Sequence, residues 1–182
     1  MSQIWVPLHD IPAEGREFSF SDPDLWAEPW HEFGLSYEMI EPLSASFFVL
    51  PQKEGFLIAG RMAGTVAVPC DRCAEPAQVV IDSEFQEFES TSGTLDDETE
   101  DQAEDEKSDL LRETGQGWEL DAAGLLWEQF QLAVPVKPLC RTDCKGLCPV
   151  CGVNMNTAAC ECEREEGDPR LAALRGLKIS SS

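Results

Sequence analysis

Apolar and polar positions alternate over the middle of the chain. Leu43 to Leu50 is rich in apolar, β-compatible residues, and Pro51-Gln52-Lys53-Glu54-Gly55 follows it as a natural turn. Beyond the turn, Phe56, Ile58, Met62 and Val66 recur at even spacing up to Val68, with Gly60 and Gly64 suggesting bulges or bends. From Gln78 to Phe88, Val79, Ile81, Phe85 and Glu87 fall on one side, and Val80, Asp82, Glu84 and Phe88 on the other. Period two is the mark of a half-buried strand. The last two runs flank Cys70-Asp71-Arg72-Cys73, which predicts a long β-hairpin carrying that tetrapeptide at its tip.

Helical spacing appears elsewhere. Trp118-Glu119-Leu120 reads as a short strand, and Asp121 then caps a helix from Ala122 to about Ala133. Ala122, Leu125, Leu126, Gln129, Phe130 and Ala133 form its stripe, and Pro135 ends it. Such a stripe packs on a sheet. Near the start, Ile4 to Leu8 reads as an edge strand cut by Pro7. Asp22-Pro23 opens a short helix over Asp24 to Glu28, confined by Pro29 and Gly34. Trp26, Trp30 and Phe33 either close over one edge of the core or form an exposed aromatic docking face. A final helix is expected after Asp168-Pro169, carrying Leu171, Leu174 and Leu177. The sum is an α+β fold: an antiparallel β-sheet with a long hairpin, a few packed helices and a C-terminal zinc-binding loop. We expect an α+β core domain over 1–139 and a cysteine-rich segment with a terminal helix over 140–182.

Charge changes the picture at one place. The net charge is −22, and the stretch 89–109 alone contributes −9, from ten acids and Lys107. With almost no apolar content this insertion is expected to be disordered, either merely solvated or able to capture a basic ribosomal or nucleic-acid-binding protein. The remaining −13 makes the chain a poor generic ligand for phosphate backbones, DNA included. No apolar run approaches the ~20 residues of a membrane span, and Met1 to Asp10 lacks a cationic segment followed by an apolar core, so a cytoplasmic protein is expected.

The candidate chemistry is in the cysteines. Six of the eight lie within the 23 residues from Cys140 to Cys162, and Cys70 and Cys73 supply another C-x2-C pair. That spacing points two thiolates from one turn at a single metal. In Cys148-Pro149-Val150-Cys151-Gly152, proline presets a φ angle and glycine permits the backbone to fold over the metal. Structural zinc is the leading reading, a rubredoxin-like iron cage the second, and disulfide or redox use the third. In the simpler division Cys148, Cys151, Cys160 and Cys162 close one site, while Cys70, Cys73, Cys140 and Cys144 form another across 66 intervening residues. A rival division moves Cys144 into the compact site. Lys137, Arg141, Lys145, Arg170, Arg175 and Lys178 flank the cysteine loop. They either form an RNA or partner contact or merely offset thiolate charge.

Catalytic constellations are missing. His9 and His31 lack metal-ligand spacing, there is no phosphate loop or nucleophile elbow, and Gly115-Gln116-Gly117 reads as a linker. A closed four-thiolate site has no open position for a catalytic water. A non-enzymatic binding platform therefore ranks above an RNA-processing enzyme or a thiol redox sensor.

Taken together, Cys70-Asp71-Arg72-Cys73, the acidic mid-chain segment, the helix running into Val136-Lys137-Pro138-Leu139, the loop from Cys140 to Gly152 with Asn154, and the closing Asp168-Pro169-Arg170-Leu171 resemble the YceD family of large ribosomal RNA subunit accumulation proteins. The resemblance spans roughly Leu43 to Lys178. It implies a bacterial cytoplasmic factor needed for normal accumulation of large-subunit ribosomal RNA, with a ribosomal precursor, through a basic ribosomal protein or the RNA itself, as partner. Family members that lack the distal cysteines but keep the first C-x2-C, with two candidate ligands where Cys140 and Cys144 stand, favour the simpler division.

Overall fold

The computed structural model describes residues 3–91 and 109–163. Most of the acidic insertion, 92–108, and the expected terminal helix lie outside the described residues. The elements in order are β1 (Trp5–Pro7), β2 (Arg16–Phe20), α1 (Asp24–Glu32), β3 (Glu38–Gln52), β4 (Gly55–Pro69), β5 (Pro76–Ser90), β6 (Leu111–Thr114), β7 (Gly117–Asp121) and α2 (Ala122–Ala133). They form two antiparallel sheets, one of order β2-β3-β4-β5 and one of order β1-β7-β6. The fold is α+β, as the alternation and the helical stripe imply.

The hairpin is longer than its apolar pattern. β4 and β5 pair without interruption from Gly55↔Ser90 to Pro69↔Pro76, leaving Cys70 to Glu75 as the tip. Even-numbered positions of β4 face the core: Ile58, Met62 and Val66 are fully buried. The expected irregularity falls on a different strand. β4 keeps its register with β5 throughout, and the shifts lie in β3 between Met39 and Ser44. Gly60 instead permits close approach, because a Cβ there would fall 2.8 Å from the Cβ of Phe47. At Gly64 a Cβ would fall 2.8 Å from the Pro42 carbonyl, which is where the irregular part of β3 crosses.

α2 starts and stops as its local signals dictate. The Asp121 carboxylate accepts from the Gly124 amide at 3.2 Å, and Val134, extended because Pro135 follows, closes the helix. Leu125, Leu126 and Phe130 are fully buried, and α2 packs against β5, β1 and α1.

α1 departs from expectation. Pro29 does not end it; the helix runs on to Glu32 with Pro29 inside. An interior proline costs about 3 kcal/mol. Burying a tryptophan of ~150–250 Å² at ~25 cal/mol/Å² is worth roughly 4–6 kcal/mol. Continuing the helix buries Trp30 beside Trp26, both against Phe130 with ring centroids 5.7 and 5.8 Å away, which offsets the proline even though the Trp30 indole N–H is buried without a partner. Trp26 and Trp30 thus close the core, while Phe33 stays 56% exposed and stacks on Trp127. Two further strands depart from the expected pattern: β2, which pairs with β3, and β6, which pairs with β7. Gly115-Gln116 is consequently a hairpin turn rather than a linker, and Glu89 and Ser90 belong to β5 rather than to the acidic insertion.

Candidate metal centres

The hairpin tip is a tight knuckle. The Cys70 amide donates to the Glu75 carbonyl at 2.8 Å, the Ala74 amide donates to the Cys70 carbonyl at 2.9 Å, and Ala74 takes a left-handed φ of 61°. The chain leaving α2 returns to this tip. The Asp71 amide donates to the Pro138 carbonyl at 2.8 Å and the Leu147 amide to the Arg72 carbonyl at 3.0 Å. The Arg72 guanidinium donates to the Cys144 carbonyl, also at 2.8 Å. These bonds carry Cys140 and Cys144 against Cys70 and Cys73, and the four sulfurs lie within 4.8 Å of one another.

A second knuckle follows at once. The Gly152 amide donates to the Cys148 carbonyl at 2.9 Å, with Gly152 at φ 72°, and the Cys148 amide donates to Val153 at 2.8 Å. Cys148, Cys151, Cys160 and Cys162 gather within the same 4.8 Å limit. The thiols therefore group in space as the simpler division has it, with Cys144 in the set of Cys70.

The donor sets fit a tetrahedral dication. Four sulfurs at ~2.3 Å from a metal stand about 3.8 Å from each other. The Cys70–Cys144 and Cys73–Cys140 separations are 3.8 and 3.6 Å. A disulfide needs ~2.05 Å, and all eight cysteines are free. Electrostatics points the same way. Burial raises the Cys70 thiol, but amides of Cys140, Arg72 and Cys73 outweigh it and bring it down to about 6. Amides of Cys151 and Val150 lower Cys148 to about 6 as well. Cys140 reaches solvent at its edge, but its sulfur sits among the other three; desolvation and then those thiols push it up to about 12. Cys162 is pushed to about 12 by the Cys151 sulfur first and burial second. Like charges this close cannot all ionise unaided; a dication among them removes the conflict and would crosslink the chain.

Two supporting residues were not legible as such. The Asn156 side chain donates to the Cys144 sulfur at 3.3 Å and lowers its pKa, and the same side chain accepts from the Lys145 amide at 2.8 Å. Arg72, inside the tip itself, is the clamp on Cys144. Arg72 signals itself in the sequence only by lying beside Cys73, and Asn156 only by lying between Cys151 and Cys160, and neither position reveals a bond to Cys144, 72 and 12 residues away. Of the flanking cations, Lys137, Arg141 and Lys145 are exposed around the first set, with Arg141 3.7 Å from Asp143. Arg170, Arg175 and Lys178 lie outside the described residues.

Antiparallel sheets whose longest hairpin ends in one of two four-cysteine sets define an α+β protein with two candidate metal centres. The chain belongs to the YceD family, described as large ribosomal RNA subunit accumulation protein, whose profile matches residues 58–178. An uncharacterized protein of Mycobacterium tuberculosis is 32% identical over 121 residues, 66% of this chain and 55% of the relative. The chloroplastic YCED homolog 1 of Arabidopsis thaliana, named a large ribosomal RNA subunit accumulation protein, is 26% identical over 75% of this chain and 49% of its own length. Its Zea mays counterpart is 27% identical over 75% of this chain and 53% of its own length. The chain thus spans about half the length of the curated relatives it matches. No solved structure matches it. Among the described residues no helix is long and apolar enough to cross a membrane.

Proposed function

We propose that the chain is a non-enzymatic, cytoplasmic ribosome-biogenesis factor that supports accumulation or processing of large-subunit ribosomal RNA as a zinc-stabilised binding platform. The observation that carries the platform reading is the first cysteine set, which fastens a rigid hairpin tip to the segment after α2 with sulfur separations suited to a tetrahedral ion. Each set would hold one Zn²⁺ through four thiolates, a closed coordination that supplies structure rather than a reactive water. In this reading the core over 1–139 and the cysteine-rich segment over 140–182 work as one unit, because the first set takes two ligands from each. Lys137, Arg141 and Lys145 offer a cationic contact to the ribosomal precursor at the metal end, and Arg170, Arg175 and Lys178, outside the described residues, are further candidates for it.

The test pairs metal content with a cellular readout. Elemental analysis of gently purified protein gives two zinc per chain. In a strain lacking the protein, the native chain restores large-subunit ribosomal RNA, whereas Cys70→Ser does not. Rescue by Cys70→Ser, or one zinc per chain in the native protein, overturns the platform reading.

A further inference from the structure

The four-stranded sheet has a second face, turned away from the core. Antiparallel partners share a face, so the register places Ser46, Arg61 and Glu84 in one row across it. Phe48, Ala59 and Gln86 form the next row, with Glu17 opposite Phe48 on β2, and Leu50, Leu57 and Phe88 the row beyond. The alternation along β5 is clear: Ala77, Val79 and Ile81 are buried while Val80 and Phe88 are 70% and 51% exposed. Phe48 is 40% exposed. Small side chains leave two adjoining depressions here, one of about 510 Å³ lined by Glu17, Phe48, Ala59 and Glu84, and one of about 400 Å³ beside it around Ser44 and Ser46. The outward side chains of this face stay exposed or half-buried among the described residues, while α2 packs against β5, with α1 against α2.

The charge of the face selects its occupant. Glu17, Asp82 and Glu84 are exposed carboxylates, and the one cation among them, Arg61, is already held by Asp82 at 3.4 Å. With Asp82 paired to Arg61, a phosphate backbone would still meet Glu17 and Glu84 here, and a second copy of the chain would bring the same carboxylates against themselves. We infer that this face docks a lysine- and arginine-rich polypeptide segment, whose cations meet Glu17 and Glu84 and whose apolar side chains settle on Phe48 and Phe88. The partner class is a basic protein with an extended segment. Of the two partner chemistries left open by the role proposed above, this assigns the protein contact to the sheet and leaves any RNA contact to the metal end. It rests on that reading only for where such a partner would be met.

The experiment titrates the full, zinc-loaded chain into a short fluorescent peptide of alternating lysine and valine and reads anisotropy. The glutamate–valine peptide and an oligouridine of similar length serve as comparison probes. The lysine peptide binds. Glu17→Lys with Glu84→Lys weakens it by about tenfold or more, and Phe48→Ser with Phe88→Ser weakens it comparably. Glu28→Lys with Glu113→Lys, an identical change in net charge on exposed residues elsewhere, leaves it within about twofold. Equal loss in the Glu28/Glu113 pair would show attraction to overall acidity and overturn the inference. So would oligouridine binding that the Phe48/Phe88 variant abolishes, or self-association of the native chain that the same variant removes. Should the phenylalanine pair fail to fold, the glutamate pairs decide alone. Retention of two zinc and of ribosomal RNA rescue by Glu17→Lys with Glu84→Lys, alongside lost peptide binding, would separate failure of this surface from failure of the role.

Discussion

Cys70-x2-Cys73 and Cys148-x2-Cys151 are the same turn in two settings. The first stands on two strands of fifteen residues each and draws its remaining ligands from beyond α2. The second is built within a single loop from 148 to 162 and buries Cys148 alone, whereas the first buries Cys70, Cys73 and Cys144; each set has one exposed member, Cys140 in the first and Cys151 in the second. A crosslink over a long chain removes more entropy from the unfolded state than one over a short loop, and a site made from distant parts has no counterpart in the unfolded chain. With metal in both, the first set would be the keystone that joins distant parts of the chain, and the second, a few residues later, the clasp of one loop.

Breaking one ligand at a time is the sharpest way to separate the two. Cys70→Ser or Cys140→Ser should lower stability by about 5 kcal/mol or more, a fall in melting temperature on the order of 10–20 °C, with loss of one zinc. Cys148→Ser or Cys151→Ser should also lose one zinc, but lower the main transition by less than about 5 °C. Differential scanning calorimetry with elemental analysis measures both. Equal thermal losses in all four variants would erase the contrast.

Acid should act on both sets, through Cys70 and Cys144 in the first and Cys148 in the second. With the metal stripped, Cys70 and Cys148 lie at about 6, below the usual 9.0 of a thiol. A group whose folded pKa is depressed contributes stability that is complete above its unfolded pKa and is lost as pH falls through the folded value. The window therefore runs from about pH 9 down to about pH 6. Ultraviolet thiolate absorbance of metal-free protein should show a step near pH 6 that halves in Cys70→Ser and again in Cys148→Ser. A single step at pH 9 would refute it.

The legibility of these parts from the residues alone follows their range. The hairpin with its cysteine tip and the helix from Asp121 were readable because period-two alternation, an Asp cap and Pro135 act within a few residues of themselves. β6 was not, since Leu111-Arg112-Glu113-Thr114 has little apolar content and acquires its strand geometry from pairing with β7. Arg16 to Phe20 alternates visibly, but only β3, far along the chain, makes it an edge. Pro29 misleads for the opposite reason: its local veto is real, and the burial of Trp26 and Trp30 overrides it. At the site, spacing alone paired the cysteines within each knuckle. It could not show that Arg72 and Asn156 hold Cys144, because those bonds exist only once the tip and the loop have met.

Asn156 tests how separate the two sets are. It lies between Cys151 and Cys160, inside the loop of the second set, yet it donates to a sulfur of the first. Residues that hydrogen-bond a metal ligand typically carry 10–100-fold in affinity. Asn156→Ala should therefore weaken zinc at the first set by about tenfold in a chelator competition and leave the second set unchanged. Cys148→Ser, by loosening the loop that holds Asn156, should weaken the first set in the same direction, which a fully independent pair of sites would not do.

The smallest expected effect compares the two knuckles position for position. The residue after each C-x2-C has positive φ, 72° at Gly152 and 61° at Ala74. Glycine adopts that region freely, whereas an L-residue with a Cβ pays about 1–2 kcal/mol in strain. Ala74 carries the strain because the Cys70 carbonyl must accept its amide for the tip to close. Ala74→Gly should relieve most of it, but glycine also gains freedom in the unfolded chain, so the net gain should be about 0.5–1 kcal/mol, or roughly 1–4 °C. Gly152→Ala meets no atom within 4 Å, so its cost is backbone strain alone. Because the second set contributes little to the main transition, that cost should appear as weaker zinc retention by the second set with the melting temperature nearly unchanged. A fall in melting temperature for Ala74→Gly would mean that the first knuckle depends on the Ala74 methyl group rather than merely tolerating it.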